Sequence, residues 1–172
     1  MKHIGIVALC MMMVSCSQVT TLTYPGSDIS YKIDVSGKVM DITPSGLSIS
    51  NEVRTHNIEG YKISSMKTAD LNKDGYPEVY VILRSTDSVD RASLIAYSPN
   101  NGKSMSEIYL PPVENSAEIS NGYSGQDELV VEGDRLTQSF RIESTGKTRQ
   151  VQYELVQGEA GWLFKIENVA EY

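Results

Sequence analysis

From Ile29 the chain alternates: Ile29, Tyr31, Ile33 and Val35 are apolar, with Ser30, Lys32 and Asp34 between them. Period two puts every second side chain on one face, which predicts a half-buried β-strand. Ser36-Gly37 and Pro44-Ser45-Gly46 punctuate two further short pieces, 38–42 and 47–50. Residues 61–66 predict another strand, and residues 78–84 are almost continuously apolar, which places that strand centrally. Residues 94–97 and 105–110 flank Pro99-Asn100-Asn101-Gly102, where Asn-Gly supplies the positive φ angles of a hairpin turn. Pro111-Pro112 ends the second of these strands. Two more hairpins follow: 128–132 with 136–142 across Gly133-Asp134, and 149–156 with 162–169 across residues 158–161. After residue 16 no stretch keeps a helical period over three turns. The expectation is one all-β domain over residues 28–172, an antiparallel β-sandwich or barrel-like fold.

The first residues follow a different pattern. Lys2 precedes an apolar run, residues 4–14, of signal-peptide length and too short to span a bilayer. It ends in Met13-Val14-Ser15-Cys16, the layout of a lipobox, in which the Cys thiol and its new amine take lipid such as palmitate. We therefore expect a lipoprotein signal peptide over 1–15, a lipidated Cys16, and a tether over 16–27 carrying Pro25-Gly26. An ordinary secretory signal cut nearby is the alternative. Ser17, rather than Asp, follows the Cys, which favours the outer membrane facing the periplasm over inner-membrane retention. Contact with membrane is through the lipid anchor only. Cys10 and His3 leave with the signal, so the exported chain has no disulfide, and His56 is its one histidine. A domain of this size folds without staples.

Charge narrows the partners. The net charge is −7 over 172 residues, and loss of Lys2 makes the exported domain one unit more acidic. That argues against nucleic acid and suits a basic partner. Catalytic machinery is sparse: there is no Gly-x-Ser-x-Gly elbow, no Cys/His metal cluster, and His56 lies in a polar stretch as an expected surface residue. A paired-carboxylate glycosidase remains open, but nothing singles out a pair. The expectation is a binding protein rather than an enzyme. Ten tyrosines stand against two phenylalanines and one tryptophan. Most read as strand fillers, whereas Tyr123, within Asn121-Gly122-Tyr123-Ser124-Gly125, reads as an exposed contact on a flexible loop.

The sharpest local motif is Asp70-Leu71-Asn72-Lys73-Asp74-Gly75-Tyr76-Pro77-Glu78. Oxygen side chains at positions one, three and five, with Gly at six, match the first half of a calcium loop, and Glu78 adds a ninth-position ligand. Position twelve is Val81, and no helices flank the loop, so a full EF-hand is excluded. Two readings stand: a calcium site formed by Asp70, Asn72, Asp74 and Glu78, or a tight β-connection whose side chains bond the backbone as Asx-turns.

The stretch 69–81, Ala-Asp-Leu-Asn-Lys-Asp-Gly-Tyr-Pro-Glu-Val-Tyr-Val, resembles the signature of the periplasmic inhibitors of invertebrate-type (i-type) lysozyme. Gly122-Tyr123-Ser124-Gly125-Gln126-Asp127-Glu128-Leu129, then Val131-Glu132-Gly133, resemble later pieces of the same family. So do Thr148-Arg149-Gln150-Val151-Gln152-Tyr153-Glu154-Leu155 and Gly158-Glu159-Ala160-Gly161-Trp162, in the family's order. The resemblance implies an all-β plug for a lysozyme active-site cleft, reaching the catalytic carboxylates with a Ser-Gly-x-Tyr loop after the central strand. The matching segment here is degenerate: Ser88 keeps the serine, Val89 replaces the glycine and Arg91 the tyrosine, with Asp87 and Asp90 adding negative charge. On this reading Ser88, Asp90, Arg91, Tyr123 and Ser124 contact a lysozyme partner. The alternative is a calcium-binding envelope or adhesion module without lysozyme inhibition.

Overall fold

The computed structural model describes residues 17–172; the expected signal peptide and the expected lipid site, Cys16, lie outside the described residues. Strands β1 (Gln18–Thr23), β2 (Ser30–Ser36), β3 (Val39–Ser45) and β4 (Arg54–Asn57) form an antiparallel meander in that order. The remaining strands form one eight-stranded sheet. They are β5 (Tyr61–Ala69), β6 (Glu78–Ser85), β7 (Ala92–Ser98), β8 (Ser106–Tyr109), β9 (Glu128–Glu132), β10 (Arg135–Arg141), β11 (Thr148–Gln157) and β12 (Trp162–Glu171). Their spatial order is β5-β6-β7-β8-β12-β11-β10-β9. Every neighbouring pair is antiparallel except β8 and β12, which run parallel with Trp162 opposite Ile108. Two meanders, β5–β8 and β9–β12, are thus fused through one short parallel seam.

This sheet coils until its two ends approach. The Lys67 ammonium on β5 donates to the Val131 carbonyl on β9 at 2.8 Å. A cleft of about 400 Å³, lined by Ser65, Lys67, Glu128 and Val130 among others, separates the two edges, so the barrel stops short of closure. Inside it pack Tyr80, Ile82, Leu136, Phe140, Val151, Tyr153 and Phe164. The four-stranded sheet covers the outside of β6 and β7. There Tyr31, Ile33, Met40 and Ile42 meet Val79, Val81 and Leu83 in a second core.

The run on β6 follows from this arrangement. Its alternate residues point into different cores, so no residue from 79 to 83 is more than 4% exposed. A strand covered on both faces has no polar face to declare its period. The expected all-β, single-domain architecture is what the structure shows, with barrel and sandwich features combined in one chain.

Three local expectations are corrected. Residues 18–23 are not a tether but strand β1, paired along its whole length with β2. The reason is its β-branched run, Val19-Thr20-Thr21, followed by Leu22, which packs against the second core. The Thr68 hydroxyl adds a bond to the Thr23 carbonyl at 2.9 Å, and Pro25-Gly26 serves as the β1–β2 turn, with Gly26 at φ +82°. Residues 47–50 are not a strand. The amides of Ser48, Ile49 and Ser50 instead bond the Gly102 and Lys103 carbonyls in the β7–β8 turn, that of Leu47 bonds the Asn51 side chain, and pairing with β3 passes to β4. His56 is half-buried rather than a free surface residue: the Tyr97 hydroxyl lies 2.9 Å from its Nε2, and burial lowers its pKa against the opposing pull of Glu107.

Because both cores share β6, they are expected to unfold as one unit. Leu83→Ala, which empties space only in the second core, should cost about 2–5 kcal/mol. Urea unfolding followed by Trp162 fluorescence, which reports the barrel, should move together with far-UV circular dichroism. Separated transitions would mean that the small sheet melts alone.

Candidate functional site

Two built regions lie at opposite ends of β6. The first is the connection that enters the strand, residues 70–77. Asp70 accepts the amides of Asp74 (3.1 Å) and Gly75 (3.0 Å), one on each carboxylate oxygen. Asn72 also accepts the Asp74 amide at 3.0 Å and donates its own side-chain amide to Asp74, while Asp74 accepts the Tyr76 amide at 2.8 Å. Lys73 and Gly75 adopt φ of +58° and +85°, the reversal that turns these side chains toward one centre.

Glu78 completes the group from the first residue of β6. It is fully buried. Its Oε2 accepts the Leu71 amide at 2.9 Å and the Tyr80 hydroxyl at 3.0 Å, whereas Oε1 has no partner. One carboxylate oxygen from each of Asp70, Asp74 and Glu78 lies within 4.8 Å of the other two. Burial pushes the Glu78 pKa up to about 8, opposed by the Leu71 and Tyr80 hydrogen bonds and reinforced by the charges of Asp70 and Asp74.

Four elements hold this loop in place. Leu71 sits in the barrel core, and the Tyr31 hydroxyl on β2 donates to the Pro77 carbonyl at 2.7 Å. Lys73 reaches Asp134 in the β9–β10 turn at 2.8 Å. Tyr76 lies against Gly102, where a Cβ would stand 2.7 Å from the ring. The structure thus brings together all four residues that the motif nominated: Asp70, Asn72, Asp74 and Glu78.

The second region is the connection leaving β6, residues 86–91, together with the segment before β9. Ser85 and Arg91 close its base through two bonds of 2.8 Å, Ser85 N–H to the Arg91 carbonyl and Arg91 N–H to the Ser85 hydroxyl. Asp87 Oδ1 gathers the Ser85 hydroxyl (2.7 Å) and the amides of Val89 and Asp90 (3.1 Å each), which hold its carboxyl below the usual pKa. Asp90, at φ +53°, pairs with Arg84 at 2.8 Å. The Val89 carbonyl accepts the Gln126 amide at 3.0 Å, and Val89 lies so close over Gly125 that a Cβ there would stand 2.5 Å from it.

Beneath both loops is a buried polar network that sequence reasoning missed. Asp127 is fully buried. Its Oδ1 accepts the Ala92 amide (3.0 Å) and the Tyr123 hydroxyl (3.1 Å), and its Oδ2 accepts the Gln138 side chain at 2.5 Å. Gln138 in turn accepts the Tyr153 hydroxyl at 2.7 Å, and Arg84 donates to the Asp127 carbonyl at 2.9 Å. Burial and the Asp127 charge raise the pKa of Tyr123, and the same two causes raise that of Tyr153. One signal was available: Asp127 stands at the entry of an alternating strand, where a buried acid must find several donors.

The expected partner contacts fare differently. Ser88 and Ser124 are exposed, and Asp90 is half-buried in its bridge to Arg84. Arg91 is exposed but pairs with Glu114 at 2.5 Å, its guanidinium 5.8 Å from the Tyr123 ring centre. Tyr123 is corrected from a free contact on a flexible loop to a half-buried anchor. Its ring meets Phe140 edge-on at 4.9 Å and its hydroxyl is held by Asp127, because burying the ring requires a partner for the hydroxyl. Beside the loop lies an open hollow of about 300 Å³ lined by Tyr61, Arg91, Leu110, Pro112, Glu114 and Tyr123 among others.

Two substitutions check these descriptions. Gly125→Ala meets both the φ of +92° and the Val89 contact, and should cost about 1–3 kcal/mol in strain with the clash added. Gly133→Ala, at φ +60° with open space around it, carries the strain alone. Thermal melts should therefore rank Gly125→Ala clearly below Gly133→Ala. For Glu78 the unfolded chain ionises near 4.5 and the folded chain near 8. Its contribution to stability is full below pH 4.5 and is lost as pH rises toward about 8, because the unfolded state releases the proton first. In chelator, Glu78→Gln should remove that slope, so urea melts at pH 5 and pH 8 should favour the variant only at the higher pH.

No family model matches the chain, and no curated protein or solved structure matches it.

Proposed function

We propose that this protein is a non-catalytic binding lipoprotein of the cell envelope, anchored through Cys16, that fills the active-site cleft of a lysozyme. Loop 86–91 is the part that enters, backed by residues 121–126. The observation that carries this reading is the preorganisation of the loop. Asp87, Asp90, Ser85 and Val89 fix its backbone from within and against Gln126, while Ser88 stays exposed at the tip. A protrusion already held in one shape loses little entropy on binding, which is what a competitive plug requires.

The departures from the resembled family have partners inside this chain. Val89, in place of glycine, packs on Gly125, so the close approach is supplied by the glycine of the neighbouring loop. Arg91, in place of tyrosine, pairs with Glu114 at the rim of the hollow. In a complex it can exchange that exposed carboxylate for one in the partner's cleft at small net cost, because exposed pairs contribute little. The net charge of −7 favours encounter with a basic enzyme.

A lytic assay tests this. The protein from Ser17 onward is titrated against invertebrate-type, chicken-type and goose-type lysozymes, and selective inhibition of one class is expected. Ser88→Trp combined with Arg91→Ala should weaken inhibition at least about tenfold while leaving the melting temperature nearly unchanged. Inhibition of no class would overturn the lysozyme reading, and an unchanged inhibition constant in the double variant would remove loop 86–91 from it. The second reading, a calcium-binding envelope or adhesion module, draws on the Asp70–Glu78 group at the other end of β6.

A further inference from the structure

We propose that Asp70, Asn72, Asp74 and Glu78 form a divalent-cation site of calcium type at the entry to β6. It is independent of the lysozyme reading, since its residues and those of loop 86–91 lie at opposite ends of the strand.

Asx-turns account for Asp70, Asn72 and Asp74, each of which accepts backbone amides within the loop. They do not account for Glu78. That side chain is fully buried, yet Oε1 has no hydrogen-bond partner. One oxygen of the Glu78 carboxylate lies within 4.8 Å of an oxygen of Asp70 and of an oxygen of Asp74. Burying one acid beside two others without a counter-charge is costly. Among the described residues no Lys, Arg or His pairs with any of the three, and the neighbouring Lys73 is turned away to Asp134. A cation at the centre would use the free Oε1 and the lone pairs that the amides leave on the other oxygens.

The ligand chemistry selects the ion. All side-chain donors are oxygens, with no His or Cys among them, which suits a hard cation. Carboxylate and amide oxygens on an irregular loop match the tolerant, high coordination number of calcium better than the strict octahedron of magnesium. Glu78 lies opposite Ala69 at the loop end of the β5–β6 ladder, so the ion would clamp the first residue of β6 to the loop that joins the two strands.

Isothermal titration of the chelator-stripped protein with calcium chloride is the test, with magnesium chloride in parallel. One saturable calcium site is expected, with Kd on the order of 10⁻⁴–10⁻³ M, as for extracellular modules, and tenfold or more weaker binding of magnesium. Asp74→Asn and Glu78→Gln keep the size of each side chain and an acceptor oxygen, and each should weaken calcium binding at least about tenfold. Circular dichroism in chelator establishes that the variants are folded; if Asp74→Asn is not, Glu78→Gln alone decides. Calcium should also raise the melting temperature of the parent protein and not that of the variants. Absence of a saturable site up to about 10 mM calcium, or binding that the folded variants retain in full, overturns the proposal.

Discussion

The burial of β6 on both faces is the constraint on which the rest of the molecule depends. One strand supplies Tyr80 and Ile82 to the barrel interior and Val79, Val81 and Leu83 to the outer core. Its neighbour β7 also serves both cores, Ala96 the barrel and Tyr97 the outer core, but β6 is buried along more of its length. The two connections of β6 therefore leave from a strand that cannot shift, and both built regions inherit that rigidity. A slip of one residue would exchange the sets of side chains facing the two cores and would pull Glu78 out of its buried position.

The two regions solve related problems in different ways. The segment after β6 fixes an exposed backbone with its own polar side chains and rests on Asp127, whose carboxylate accepts three donors beneath it. Such a network, with its partners satisfied, holds one arrangement of the chain rather than adding much net stability. The segment before β6 is also tightly bonded, but it leaves one buried oxygen without a partner. The first region satisfies both oxygens of its buried acid from within the chain, and the second satisfies only one of two.

Much of the strand layout was legible because alternation and turn chemistry are local. The hairpins at Asn101-Gly102 and Gly133-Asp134 sit where their positive-φ residues allow, and β9 has the predicted bounds. The continuous apolar run of β6 betrayed its central place. What was not legible is tertiary. Polar Gln18–Thr23 looks like linker, and only its pairing with β2 makes it a strand. Nothing in Tyr123 says which way its ring turns; Phe140 and Asp127, distant or unremarkable in sequence, decide it. The four loop oxygens were visible as a spacing, while the depth of Glu78 and its empty Oε1 came only from the packing around them.

The parallel seam also bears on how the chain reaches its fold. Strand β12, near the C-terminus, is inserted between β8 and β11, in the middle of the eight-stranded sheet. Until it arrives, β5–β8 and β9–β11 are two separate pieces with open edges. Completion must wait for β12, and the contacts that complete it are distant in sequence, a topology associated with slow folding. A chain leaving the ribosome thus stays unfinished and adhesive until β12 is free, and loss of β12 leaves two half-sheets rather than a slightly smaller barrel.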